Sequence, residues 1–483
     1  MQGVRDDARN VPSGGTLGKE SSIHRSPRVL ATLVAATLLA AGLVGTGTTA
    51  TAHDDHGGTW DPSPESSSPN LKILGSAPRT SEVASYRNSD LAFWGKTAYA
   101  GNYDGFRAID VSDPENPTVI SDVACPGSQH DISVYEGLLF LSIDAPLTAP
   151  ECGSPRAAAE GFEGIRIFDV SNPAAPAYVG AVPTDCGSHT HTLVPDKADP
   201  GRVLVYASSY PSAELPESPY GNSCSRSGDG HSKISVVEVP LADPASASVV
   251  SEPRFELNDF RNTAGFRGCH DISVFTAIDR AAAACLSEGQ IWDISDPENP
   301  TTVSRVINPD FDIWHSASFT WDGRTVLFGD EAGGGSSPRC RASDPDTVGA
   351  IWVYDRAALD ANDGVTAEQP LSHFKIPRVQ GDTARCTMHN FNVLPIKGRY
   401  VGVSAAYSGG TTVFDFTERG NPVEVGHNDP HGANTWSSYW YNGFVYTNDT
   451  GRGFDAMLLA DRARSQAMKL PYLNPQTQER LIR

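Results

Sequence analysis

The stretch Gly105-Phe106-Arg107-Ala108-Ile109-Asp110-Val111-Ser112-Asp113-Pro114-Glu115-Asn116-Pro117 decides the fold. Its first half is short, β-branched and aromatic, which suits a strand. Its second half is Asp, Ser and Pro, which suits a turn: the Asp side chain accepts turn N–H groups, and Pro prevents the strand from continuing. The pattern returns as Gly164 to Pro176 (GIRIFDVSNPAAP) and Gly289 to Pro300 (GQIWDISDPENP). Weaker copies run from Lys233 to Pro244, Gly349 to Asp360 and Gly410 to Pro422, with a truncated one at Gly453 to Leu459.

Working outward, two more apolar runs precede each copy, as in His130-Asp131-Ile132-Ser133-Val134 and Leu138-Leu139-Phe140-Leu141. A further run follows the turn, as in Ala177-Tyr178-Val179-Gly180. Four short strands per unit, without a helical period, describe a propeller blade. The first strands start at Ser89, His130, His189, His270, His315, His389 and about Thr435, between 41 and 81 residues apart. The short spacings match a bare four-stranded blade of about 40 to 50 residues, and the long ones require insertions. The expected fold is all-β, a seven-bladed propeller over residues 71–459. The last unit lacks a fourth strand, and Leu71-Lys72-Ile73-Leu74-Gly75 is expected to supply it and so protect an open edge. Residues 460–483, with Arg462, Arg464, Lys469, Arg480 and Arg483, form a charged tail that either folds back on the acidic body or stays loose.

The phrases IDVSDPENP, FDVSNPAAP and WDISDPENP resemble the LVIVD-repeat family of mostly secreted, propeller-like proteins. The stretches Trp314 to Glu331, Met388 to Phe416 and Trp436 to Asp455 are similar to its bacterial branch. The resemblance covers about residues 71–459 and implies the fold; the family has no shared activity to carry over.

Arg25 and Arg28 precede the apolar run Val29 to Val44, and Ala50-Thr51-Ala52 follows with small residues. This is the pattern of a cleaved secretory signal over residues 1–52, with a Pro-, Gly- and Ser-rich flexible leader over 53–70. The mature chain is therefore expected outside the cell, with no membrane span after cleavage. A net charge of −21 argues against nucleic-acid binding. An unknown extracellular protein or small-molecule ligand is the expected partner.

Cys125, Cys186, Cys269 and Cys386 sit just before first strands, Cys152, Cys224 and Cys340 in inserts between second and third strands, and Cys285 near the end of a second strand. All eight fall on one rim. Proximity along the chain suggests Cys125 with Cys152, Cys186 with Cys224, Cys269 with Cys285, and Cys340 with Cys386. Loops stapled this way are either recognition elements or protection against extracellular wear.

Five of the thirteen His share one slot at the start of a first strand: His130, His189, His270, His315 and His389. Imidazoles converging from several blades suit a transition metal, with Fe, Cu or Zn as candidates. Asp131, Asp271, Glu331 and His191 stand nearby in sequence, placed to orient the ring N–H groups. The competing reading is a repeated structural contact that knits blades together. The Asp-rich turns favour turn capping over calcium, and the run Trp436, Tyr439, Trp440, Tyr441 favours core packing over a sugar platform. Two functions follow: a non-catalytic binding or scaffold module acting through the insert-bearing face, or a metal-dependent enzyme, for example an oxidoreductase, with its ion in the histidine ring.

Overall fold

The computed structural model describes residues 66–79, 87–157, 161–210, 231–257, 267–361, 365–366 and 369–483. The expected signal segment, most of the expected leader and Cys224 lie outside them. Seven antiparallel sheets make the blades of a β-propeller, and the described residues contain only two short α-helices, Arg356–Asp360 and Arg462–Gln466.

The first blade runs Asn88–Trp94, Thr97–Asn102, Gly105–Asp110 and Thr118–Ala124. The quoted stretch is therefore a third strand and the turn after it. In that turn the Asp110 carboxylate accepts the Ser112 N–H at 2.8 Å, and Asp113 accepts that of Glu115 at 3.1 Å. Asp169, Asp293 and Asp415 repeat the first contact with Ser171, Ser295 and Thr417 at 2.8 to 2.9 Å. These carboxylates cap turns, as the composition suggested.

Burial follows position in the blade. The second strand Arg280–Cys285 and the third strand Glu288–Asp293 are almost wholly buried between neighbouring sheets, whereas the outer strand Thr118–Ala124 is half exposed. A register shift between third and fourth strands recurs in six blades, for example between Ala108 and Ile109. Such bulges add local twist. The glycine opening the third strand has a steric reason: at Gly105 (φ +143°) a Cβ would lie 1.9 Å from the Val123 carbonyl oxygen, and at Gly164 2.1 Å from that of Val182.

In the seventh sheet, Thr435–Tyr441, Phe444–Asp449 and Gly453–Leu459 are joined on the outside by Leu71–Pro78, paired antiparallel with Gly453–Leu459. Disulfides join Cys125 to Cys152, Cys269 to Cys285 and Cys340 to Cys386, each tying the approach to a first strand to a second strand or the insert beyond it. Cys186 is also in a disulfide; its expected partner Cys224 lies outside the described residues.

The charged tail is laid across the ends of the first strands, opposite the disulfide rim. Met468 N–H donates to Pro395, and the Leu470 N–H to the Asn442 side chain. Tyr472–Leu473 pairs with the first blade. The Asn474 amide bonds both backbone groups of Val134, and Thr477–Gln478 pairs parallel with Ile272–Phe275. Gln478 and Ile482 reach Phe319 and Trp321. The segment touches blade after blade in ring order.

Candidate metal centre

At the opposite mouth, the position opening each first strand holds, in blade order, Ser89, His130, His189, His270, His315, His389 and Trp436. A parallel bridge between Asn390 and Ser437 places Trp436 level with His389. Adjacent blades are tied here through backbone carbonyls: Thr190 Oγ1 donates to His270 O at 2.9 Å, Asp271 N–H to His315 O at 3.0 Å, and Ser316 Oγ to His389 O at 3.2 Å.

Four imidazoles meet in a row. Ring centroids are 4.5 Å apart for His189 and His270, 3.8 Å for His270 and His315, and 4.3 Å for His315 and His389. All four are buried, and Tyr210, Tyr407 and Trp436 pack against the ends of the row. Three rings are held through Nδ1. His189 is bonded to the Asp144 carboxylate, His270 lies 3.0 Å from Asp271 Oδ1, and His389 donates to the Trp436 carbonyl at 2.6 Å. A carbonyl oxygen only accepts, so His389 carries its proton on Nδ1 and presents the Nε2 lone pair.

That Nε2 lies 3.6 Å from Glu331 Oε1, while His315 Nε2 lies 3.7 Å from Glu331 Oε2. Glu331 also accepts the hydroxyl of Tyr407. Ligand atoms of His270, Asp271 and His315 lie within 4.8 Å of one another, as do those of His315, Glu331 and His389, so two triads share His315. Burial pushes Glu331 up to about 8 against the pull of the Tyr407 hydrogen bond, and Asp271 up to about 7. Burial, then the neighbouring His189, holds His270 well below its ordinary value, in the neutral form that ligates metals.

The remaining sequence-derived residues stand apart from this cluster. His130 has a left-handed backbone (φ +58°), and its Nδ1 is bonded at 2.5 Å to the Asn102 carbonyl. Its ring faces Gly127, where a Cβ would come within 2.3 Å of Nε2, and not the other imidazoles. His191 knits blades: Nε2 lies 2.5 Å from Ser133 Oγ and Nδ1 2.8 Å from Ser142 Oγ, and burial takes it down to about 3. Asp131 accepts the His191 backbone N–H at 2.7 Å and, through its side chain, meets Asp90. Asp271 and Glu331 do lie against the imidazoles. Sequence reasoning missed Asp144, which lies in the second strand Leu138–Leu147 where its pairing is irregular, Tyr407, in the turn after Val401–Ala405, and Tyr210, just past Arg202–Ser208. It also missed Asp90, which occupies the same position as Asp131 one blade earlier. Trp436, Tyr439, Trp440 and Tyr441 are all buried, as packing requires.

A sevenfold ring of antiparallel sheets with a polar cluster at one mouth defines a propeller scaffold or binding module. The chain carries the LVIVD repeat, a β-propeller repeat whose family matches residues 87–124 and 159–184, the first blade and the outer half of the second. No curated protein matches the chain. Among solved structures, a protein from Lactobacillus plantarum is 12% identical, with 80% of this chain and 96% of that one covered and a TM-score of 0.51. The WD40 repeats of RRP9 are 10% identical over 82% of this chain and 99% of theirs, with a TM-score of 0.46. The computationally designed Ika8 protein is 12% identical over 80% and 99%, with a TM-score of 0.44. At these identities the likeness is one of fold alone. Among the described residues, no helix is long and apolar enough to cross a membrane.

Proposed function

We propose that this protein is an exported, metal-binding propeller, with a transition-metal ion seated on His315, His389 and Glu331. The observation that carries the reading is the division of labour within His389: Nδ1 is fixed by a backbone carbonyl while Nε2 faces a carboxylate and a second imidazole. Metal-ligating imidazoles are commonly held this way, with the far nitrogen fixed by a carbonyl or carboxylate. Mixed imidazole and carboxylate donors suit Fe, Cu or Zn. Three disulfides among the described residues support an oxidising, extracellular setting.

On this reading the face carrying the inserts is the binding surface, and the ion lies beneath it. A catalytic variant of the reading is favoured by one contact, the hydroxyl of Tyr407 on Glu331, which places a proton donor against the ligand set. Elemental analysis of the purified secreted form tests the proposal. About one equivalent of Fe, Cu or Zn is expected, and its loss in both His315→Ala and His389→Ala. Absence of a stoichiometric metal in folded protein refutes it.

A further inference from the structure

The rim that carries the disulfides also holds, between the first two blades, a cavity of about 580 Å³. It neighbours the histidine cluster: the Tyr103 ring meets Trp436 edge-on at 6.4 Å, and Trp436 meets His389 at 4.8 Å. Its walls hold one another in place. The Tyr103 N–H donates to the Arg87 carbonyl at 3.0 Å, the Gly127 N–H to the Tyr103 carbonyl at 3.4 Å, and Arg156 Nη2 to the Gly127 carbonyl at 3.2 Å. The Arg87 guanidinium stands 5.7 Å from the centre of the Tyr103 ring. The far wall is an insert of the second blade, tied down by Cys125–Cys152 and by two backbone bonds of 2.9 Å, Thr148 N–H to Pro155 and Ala157 N–H to Pro146.

Three guanidinium groups, of Arg79, Arg87 and Arg156, line this cavity against one carboxylate, Asp104, in a chain whose net charge is −21. A guanidinium carries five N–H donors in a planar fork that matches a carboxylate, so a partner within the protein leaves others for a ligand. Tyr103 adds a hydroxyl that is buried without a hydrogen-bond partner, and burial keeps it protonated and able to donate. Pro126, Leu147 and Pro155 make the lining partly apolar. We propose that the cavity binds a small organic anion, a carboxylate on an apolar body, with the carboxylate on Arg87, Arg156 and Tyr103. The volume lies within the range of about 300–1,000 Å³ usual for small-molecule sites, and an insert stapled by a disulfide loses little further freedom when a ligand arrives. The proposal rests on the reading of the insert-bearing face as the binding surface and names its ligand class. The described lining includes none of the candidate metal ligands.

Isothermal titration calorimetry of the full chain with benzoate and 2-naphthoate tests this, with 2-naphthamide as the uncharged counterpart and inorganic phosphate as the oxyanion without an apolar body. Expected are saturable binding of at least one of the two acids, no competition from naphthamide or phosphate at equal concentration, and affinity reduced about tenfold or more in Arg87→Ala and in Arg156→Ala. Tyr103→Phe should weaken binding severalfold. Circular dichroism confirms that each variant is folded, and Arg156 is exposed, so its substitution leaves the blades intact. His315→Ala should bind the acid as wild type does, whether or not metal is present. Absence of binding by both acids, equal binding of the amide, displacement by phosphate, or binding that survives both arginine substitutions overturns the proposal. Loss of binding in His315→Ala also overturns it, by placing the anion on the metal; an absent metal with binding intact refutes the metal reading alone.

Discussion

Replacing Asn474 with Ala isolates what the C-terminal segment contributes to the ring. The Asn474 side chain accepts the Val134 N–H at 2.8 Å and donates to the Val134 carbonyl at 2.9 Å, copying the two bonds of a strand neighbour. Val134 is fully buried, and Asn474 is 2% exposed. After truncation both backbone groups are left without a partner where water does not reach. Each such group costs about 1–3 kcal/mol, so the loss is about 4 kcal/mol. The shift in midpoint per kcal/mol shrinks as unfolding entropy grows with chain length, which puts the expected fall at about 4–8 °C. Amide hydrogen exchange gives a local reading of the same quantity. If Val134 opens locally, its exchange accelerates by about tenfold for each 1.4 kcal/mol lost. Asn474→Asp should be as damaging, since it keeps an acceptor for the N–H but sets a carboxylate against the carbonyl. A midpoint within about 1 °C of wild type, with Val134 exchange unchanged, would refute the reasoning and leave the segment as a passive cover.

Gly105→Ala should cost about 3 kcal/mol or more, because φ is +143° and the new Cβ meets the Val123 carbonyl at 1.9 Å; soluble yield and thermal midpoint will show it. Burial raises Glu163 from 4.5 to about 8, with Asp144 adding to the effect. The folded state therefore prefers the protonated acid, so this group's contribution is complete below pH 4.5 and is lost as pH rises through 8. Glu163→Gln should flatten the decline in stability over that window, as read from denaturation midpoints at several pH values. Replacing both Cys269 and Cys285 by Ser removes a cross-link across 16 residues and should cost about 3 kcal/mol, visible as a lower denaturant midpoint under non-reducing conditions, with a smaller fall than full reduction of the wild-type protein causes.

Strands and turns such as Gly105 to Pro117 were legible because the information is local: an apolar alternation, a carboxylate that caps its own turn, a proline that stops the strand. The shared slot of His189, His270, His315 and His389 was legible too, since equal distance from a repeated strand start means equal height in the ring. What that regularity hides is backbone conformation at single residues. The positive φ of His130 turns its imidazole toward Asn102, although its spacing is the same as that of the others. Asp144 and Tyr407 come from the far ends of second strands, where the pairing is irregular or has just ended, so no repeat predicts where they point. The tail resisted reading for a different reason. Asn474, Thr477 and Gln478 bond main-chain groups of distant strands, and a main-chain partner leaves no trace in the sequence of either side.

The seventh sheet couples the two extremities of the polypeptide in time as well as in space. During synthesis the segment Leu71–Pro78 emerges early and has to wait for Gly453–Leu459; Ser76 finds its Asp455 partner only after 379 further residues have been made. Until then Leu71–Pro78 has no strand to pair with, and the nascent protein is open to pairing with the wrong neighbour. The pairing of Leu71–Pro78 with Gly453–Leu459 is thus postponed to the final moments of production, and the residues beyond Leu459 are made last of all.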